Sequence, residues 1–334
     1  MRRIAYIYPM FLVCLLAVTI LYNPAYAVDF SLVAETDKSV YGVNSTVSIA
    51  GNLTLDGSPV SNGLVAVQIS VSDSAIIYRA LNTGTNPPGP WRVYIIDTFI
   101  SNAVGNPVTN VYRGAEYLVW VRYNNSQTYP IKALITFTIF DSGGNPLYTY
   151  APPPTYVQPG QSNPFVTAVS WIIPEDAELG AAMICANAYT DYPKNYGTPH
   201  CPEQSNSFNI MSVGGMSFSS QAGEASLQVT GNFNTSFHIK QFGGRLGNYT
   251  MYTSSFMIVN LTAFIGFDTV TFQVILDGDL NHDNWVDIFD IVTIAVAFGS
   301  TPPTDPRADT NNDGTVDIFD LVYVALHYGE WGIP

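Results

Sequence analysis

Charge is scarce in this chain: Asp, Glu, Lys and Arg make up 11% of its 334 residues, and only 12 of them are basic. A positive face able to neutralise a phosphate backbone is therefore not expected, which excludes nucleic acid as a partner. Histidine is scarcer still, and ahead of residue 277 only His200 and His238 occur. No Gly-x-Ser-x-Gly elbow and no Cys-His arrangement suited to acyl transfer is present. The acidic run Glu175, Asp176 and Glu178 reads as an exposed turn at a strand end rather than as a glycosidase carboxylate pair. The expectation is a protein that is not an enzyme. After Tyr22 no apolar run approaches the roughly 18 residues that would cross a bilayer.

The first 27 residues carry Arg2 and Arg3, an apolar run from Met10 to Tyr22 and the small-residue site Ala25-Tyr26-Ala27. This is the pattern of a secretory signal over 1–27, with an uncleaved anchor as the alternative. A secreted, extracellular or cell-surface location follows, with no membrane span after signal removal. Of three cysteines Cys14 lies in the signal. Cys185 and Cys201 remain and are expected to form a disulfide, worth about 3 kcal/mol by loop entropy, with two free thiols as the alternative. Asn-x-Ser/Thr sequons at Asn44, Asn52, Asn124, Asn234, Asn248 and Asn260 make N-glycosylation an expectation where the host performs it.

Between the signal and residue 277 the chain alternates apolar with polar residues in short runs broken by Gly, Pro and Asn. Examples are STVSIAGNL at 45–53, LVAVQISVS at 64–72, YLVWVRY at 117–123 and VTFQVIL at 270–276. Long helical periodicity is missing here. The pattern predicts antiparallel β-sandwiches of the immunoglobulin type, so the expected fold is mainly β, ending in a small helical module.

The stretch 28–83 offers about four strands and 212–276 about three, and neither alone fills a sandwich. ETDKSVYGVNSTVSIAGNLTLDGSPV is similar to the opening of a macroglobulin-type β domain, and GNYTMYTSS and DTVTFQV resemble the closing strands of that family. The resemblance implies one discontinuous domain, 28–83 plus 212–276. A second sandwich over 90–211 would be inserted through the Pro/Gly-rich NTGTNPPGP, with Trp120, Pro152-Pro153-Pro154 and the cysteines as its landmarks. Three domains in tandem is the alternative. No Cys-Gly-Glu-Gln thioester motif occurs, which argues against protease trapping.

The acidity is concentrated at the C-terminal end, where residues 277–334 hold ten Asp, one Glu and a single Arg. Two copies of one sentence lie there thirty residues apart, DLNHDNWVDIFDIVTIAVAFG from Asp279 and DTNNDGTVDIFDLVYVALHYG from Asp309, alike at 11 of 21 positions. Each places oxygen donors at loop positions 1, 3, 5, 9 and 12, the spacing that wraps one hard cation. The candidate ligands of the first loop are Asp279, Asn281, Asp283, Asp287 and Asp290, with the Trp285 carbonyl. Those of the second are Asp309, Asn311, Asp313, Asp317 and Asp320, with the Thr315 carbonyl. Four carboxylates within twelve residues repel unless a divalent ion neutralises them, so two calcium ions are expected. Asn284 stands where the second loop has Gly314, which makes the first site the weaker one in expectation.

Helices are predicted over about 287–298 and 317–328, each stopped by Gly. Position 12 is Asp rather than Glu, and no helix precedes the first loop. From about Asp277 to Glu330 the tail resembles a type I dockerin. That resemblance implies a cohesin-like partner, with Ile288, Phe289, Ile318 and Phe319 as candidate docking residues; packing of these pairs against each other is the alternative. The functional expectation is a non-catalytic surface or scaffold-associated protein held by its tail. The alternative is a carbohydrate-binding component of a polysaccharide-degrading assembly.

Overall fold

The computed structural model describes residues 28–84, 89, 91–160, 165–212, 230–259 and 262–334. The signal-like segment, Asn260 and most of the Pro/Gly-rich connection lie outside them.

The protein is mainly β, built of sheets packed face to face. The alternating strands Phe30–Thr36 and Thr46–Leu55 pair antiparallel, and Asn232–His238 adds to the other side of Thr46–Leu55. The sheet facing them runs Val40–Gly42, Thr262–Ile275, Gly247–Val259, Leu64–Val71 and Ser74–Asn82. Leu64–Val71 thus pairs with Gly247–Val259 across the whole middle of the chain, Ser255 opposite Val65 and Thr250 opposite Ser70. Leu53, Ile49, Val67, Ile69, Phe233, Met251 and Phe272 fill the core between these two sheets.

A second pair of sheets comes entirely from residues 93–211. One runs Phe165–Ile172, Glu116–Asn125, Val93–Ser101; the other is centred on Ile131–Phe140 and Gly180–Tyr189. Their core holds Val119, Val121, Phe137, Ile139, Trp171 and Ile184. Trp171 is the buried tryptophan of this sandwich, whereas Trp120 rises from the outer sheet face beside Phe99, rings 5.9 Å apart and nearly parallel.

The two sandwiches are joined through a third apolar cluster of Ala66, Tyr78, Ala80, Leu134 and Tyr189. For this reason Leu64–Val71 is buried at every position rather than at alternate ones. Its polar members are paired: the Lys194 amide donates to Gln68 Oε1 at 3.1 Å, and Gln68 Nε2 to Ser70. Across the same joint the Tyr78 amide donates to Thr138 Oγ1 (2.9 Å), and Arg79 Nε donates to both oxygens of Glu203.

The cysteine expectation is corrected. Cys185 and Cys201 are both free and buried. Cys185 belongs to the first core, while its strand neighbours Ile184 and Ala186, together with Cys201, belong to the second. The strand pleat therefore turns the Cys185 thiol away from Cys201. Burial, reinforced by Glu203, pushes the Cys185 thiol well above its usual range, and burial takes Cys201 up to about 11.

His200 is nearly enclosed, with Nε2 3.0 Å from the Lys132 carbonyl, and burial holds its pKa below the usual value. A depressed histidine favours the neutral form in the folded state, so its contribution is present above the unfolded value of about 6.5 and is lost as pH falls through the folded one. Acidification from pH 7.5 to 5 is expected to lower the melting temperature of the parent more than that of His200→Gln. Equal losses would count against the histidine as the source.

Candidate metal centre

Strand Thr262–Ile275 runs directly into the first acidic loop, which leads into a helix, Ile288–Ala297; the second loop leads into Ile318–Leu326. In each loop positions 4 and 6 adopt left-handed backbone: His282 (φ 62°) and Asn284 (φ 72°) in one, Asn312 (φ 56°) and Gly314 (φ 87°) in the other. Asn284 therefore takes the same turn as Gly314 at the cost of a side chain in that region.

The loop carboxylates accept hydrogen bonds from backbone amides of their own loop. Asp279 accepts from Asp283 N (3.2 Å) and Asn284 N (2.9 Å), and Asp309 accepts from Asp313 N (3.1 Å) and Gly314 N (3.0 Å). Asn281 and Asn311 each accept from the amide two residues on, both at 2.9 Å. Asp283 and Asp313 accept from the amides of Trp285 and Thr315 at 2.9 Å.

Positions 9 and 12 cap the helices, a role that sequence reasoning missed. Asp287 and Asp317 are helix N-caps, accepting from Phe289 N and Phe319 N, while Asp290 and Asp320 reach back to the cap amides at 2.8 Å. This is a capping box with Asp in the fourth place, legible as D-x-x-D ahead of each apolar run. Asp290 and Asp320 are fully buried. Burial works against the Asp320 carboxylate, but the amides of Asp317, Thr310 and Asn311 and the Thr310 hydroxyl hold it below the usual range. At Asp279 burial wins and raises the pKa.

Burial is the main cause at Asp279, and the Asp290 carboxylate adds to it. Arg307, the cation of this tail, is committed to Asp305 and the Leu280 carbonyl. Among the described residues no group of three or more His, Cys, Asp and Glu side chains is drawn together as a ready cage. The donors are instead carboxylate, amide and carbonyl oxygens held by separate amides of one loop, a hard-oxygen set that fits calcium.

The repeats brace each other reciprocally. Val286, at position 8 of the first loop, donates to the Glu330 carbonyl (2.9 Å) and accepts from Gly329 N (2.8 Å). Val316, at position 8 of the second, donates to Ser300 (3.2 Å) and accepts from Gly299 N (2.8 Å). Each glycine that ends one helix thus closes the opposite loop. Val286, Val316, Ile294 and Val324 are buried beneath and belong to the same apolar cluster as the core of the first sandwich.

The C-terminal residues Trp331–Ile333 form a strand parallel to Phe242–Arg245 of the first sandwich. Gly332 N donates to the Asn284 carbonyl (3.1 Å), Trp331 stacks on Trp285 at 5.6 Å, and Gln241 donates to Glu330 (3.2 Å). Nothing in the local pattern of WGIP signals this pairing.

The candidate docking residues are exposed: Ile288 51%, Phe289 63%, Ile318 51% and Phe319 68%. The helices turn Ile294, Ala297 and Val324 inward instead. Of the sequon asparagines, Asn44, Asn52, Asn234 and Asn248 are exposed and Asn124 is half-buried. Glu175, Asp176 and Glu178 lie on an exposed turn, and Asp176 pairs with Lys240 at 2.7 Å. Among the described residues no helix is long and apolar enough to cross a membrane.

No family model matches the chain, and no curated protein matches it. Among solved structures it is similar to the C-terminal domain of wzt, at 16% identity over 42% of this chain and 86% of that one, with a TM-score of 0.30. A CARDB domain from Pyrococcus furiosus in complex with di-metal ions shares 13% identity over 39% and 95%, TM-score 0.24. An alkylpurine DNA glycosylase from Pseudomonas fluorescens, bound to DNA with an abasic site analog, shares 10% identity over 37% of this chain and 31% of that chain, TM-score 0.27. At these scores the likenesses carry no argument about function.

Proposed function

We propose that the chain is a secreted, non-catalytic protein whose dockerin-like tail binds two calcium ions and docks onto a cohesin-like module, fixing a β body in place. The observation that carries this reading is the duplicated loop and helix with the same apolar pair left in solvent in both copies. A module this small has strong reason to bury Ile and Phe, so leaving four of them exposed favours a partner surface. Calcium, when bound, would neutralise the loop carboxylates and join the two ends of each loop. Asp279, Asn281, Asp283, Asp287 and Asp290 would hold one ion, and Asp309, Asn311, Asp313, Asp317 and Asp320 the other.

The pairing of Leu64–Val71 with Gly247–Val259 supports a discontinuous first domain, 28–83 plus 212–276, with 90–211 inserted into it and 277–334 as the docking module. An immunoglobulin-like or macroglobulin-like ancestry belongs to the same proposal, as do export and glycan attachment.

Replacing Ile288, Phe289, Ile318 and Phe319 by Ala, Ser, Ala and Ser is expected to abolish capture by an immobilised type I cohesin while leaving calcium binding unchanged. Surface plasmon resonance with and without calcium measures this. Capture that persists in the quadruple variant would assign these side chains a purely structural role.

A further inference from the structure

Phe165–Ile172 is the outer strand of its three-stranded sheet. It pairs antiparallel with Glu116–Asn125 in unbroken register on one side, and among the described residues no hydrogen bond reaches its backbone from the other. Just past the strand, Ile173 donates its amide to the Ala115 carbonyl at 3.0 Å, which fixes the phase of the ladder. Backbone groups alternate sides along a strand, so the odd-numbered residues face Glu116–Asn125 and the even-numbered ones face away. The amides and carbonyls of Ala168, Ser170 and Ile172 therefore line an open edge.

Other edge strands are covered by the chain itself. On Val93–Ser101 the Thr98 carbonyl accepts from Asn206 Nδ2 at 2.8 Å, and the Ile100 carbonyl from the Val108 amide at 2.9 Å. On Phe30–Thr36 the Ala34 amide donates to Asp268 Oδ2 at 2.8 Å, and on Asn232–His238 the His238 amide donates to the Gly144 carbonyl at 3.0 Å. On Ser74–Asn82 the amides of Tyr78 and Ala80 donate to Thr138 and Glu203 of the second sandwich. Phe165–Ile172 lacks such cover among the described residues. It also lacks the usual means of blunting an edge, since FVTAVSWI contains no charge, no Pro and no bulge. Ala168 and Ser170 are exposed, and Ile172 is 62% exposed.

An open edge of this kind is a template for another strand, and the strand that fits it is its own copy. About a two-fold axis at Ser170, an antiparallel second copy brings Ser170 opposite Ser170 and Ile172 opposite Ala168, so each large side chain meets a small one. The outward amides and carbonyls of these residues then satisfy one another as hydrogen-bonded pairs. Residues of equal parity lie opposite, so Val169 and Trp171 stay on the core side in both copies. The strand brings no charge to be opposed or buried by its twin. We propose that this edge joins two copies of the chain, merging two three-stranded sheets into one of six. The contact uses the same surface on both copies and closes at a dimer. The inference is independent of the calcium-dependent docking reading.

Sedimentation equilibrium of the full chain tests it, with a dimer that dissociates in the micromolar range as the expected result. Ala168→Pro removes one outward amide and leaves the ladder to Glu116–Asn125 intact, a change that an edge strand tolerates. Ile172→Lys places a charge on the same edge in a solvent-facing position, where it does not threaten the fold. Each should weaken the dimer roughly tenfold or more, with circular dichroism confirming the fold. Ser170→Cys should form a cross-linked dimer under mild oxidation, because paired residues about 5.5 Å apart at Cα lie within disulfide reach. The parent should not, since Cys185 and Cys201 are buried. A chain that stays monomeric to about a hundred micromolar overturns the proposal. So does a dimer that both edge variants keep, or one lost only when Ile288, Phe289, Ile318 and Phe319 are replaced, which would place the contact on the tail.

Discussion

Chelation of calcium is expected to remove the helical signal of residues 277–334 and to delete one transition from the melting profile, while the two sandwiches keep theirs. The loops contain eight carboxylates, and the one basic residue of the tail, Arg307, is engaged elsewhere. Without a cation these charges oppose compaction, and metal binding becomes part of the folding free energy. At a hundredfold excess of calcium over its dissociation constant each site would contribute about 2.7 kcal/mol. Because each loop is closed by the glycine of the opposite repeat, Asp309→Ala is expected to weaken both sites and not only its own. Differential scanning calorimetry and calcium titration follow the two effects; a single transition indifferent to EDTA would refute the coupling.

The second large effect is expected at the joint between the sandwiches. Arg79 and Glu203 are paired at 2.9 Å with side chains only 16% and 11% exposed, and Arg79 also donates to Thr235 at 3.0 Å. Removing the guanidinium in Arg79→Ala leaves Glu203 buried without its partner, a defect that typically costs about 3–5 kcal/mol. The melting temperature of the β body should fall by several degrees or more. Arg79→Met combined with Glu203→Leu should recover much of that loss, because an apolar pair carries no stranded charge. A melting temperature for Arg79→Ala within a degree of the parent would show that water reaches Glu203.

Local pattern and long-range placement differ sharply in how far the sequence reveals them. Both helices and the glycines that stop them repeat within thirty residues, so spacing alone locates them. The capping role of Asp287 and Asp290 was equally local and could have been read from the D-x-x-D spacing. By contrast, no periodicity distinguishes Trp171 in a core from Trp120 on an outer face, since both sit in alternating strands and only the partner layer decides. The same holds for Leu64–Val71, whose polar Gln68 and Ser70 imply a solvent face that the second sandwich in fact covers. Cys185 and Cys201 are close in sequence yet belong to different cores, because pleat direction, not chain distance, sets which thiols can meet.

The three-residue strand Trp331–Ile333 has a mechanical consequence. The tail is joined to the body covalently at residue 276 and again, through backbone hydrogen bonds, at Phe242–Arg245. Two points of attachment suppress the swivelling that one linker would allow, so the apolar helices leave the body at a fixed angle. Tension applied to them divides between the peptide chain and a parallel ladder that bears on the first loop through Gly332 and Asn284. The protein is built less like a weight on a string than like a bracket with two bolts.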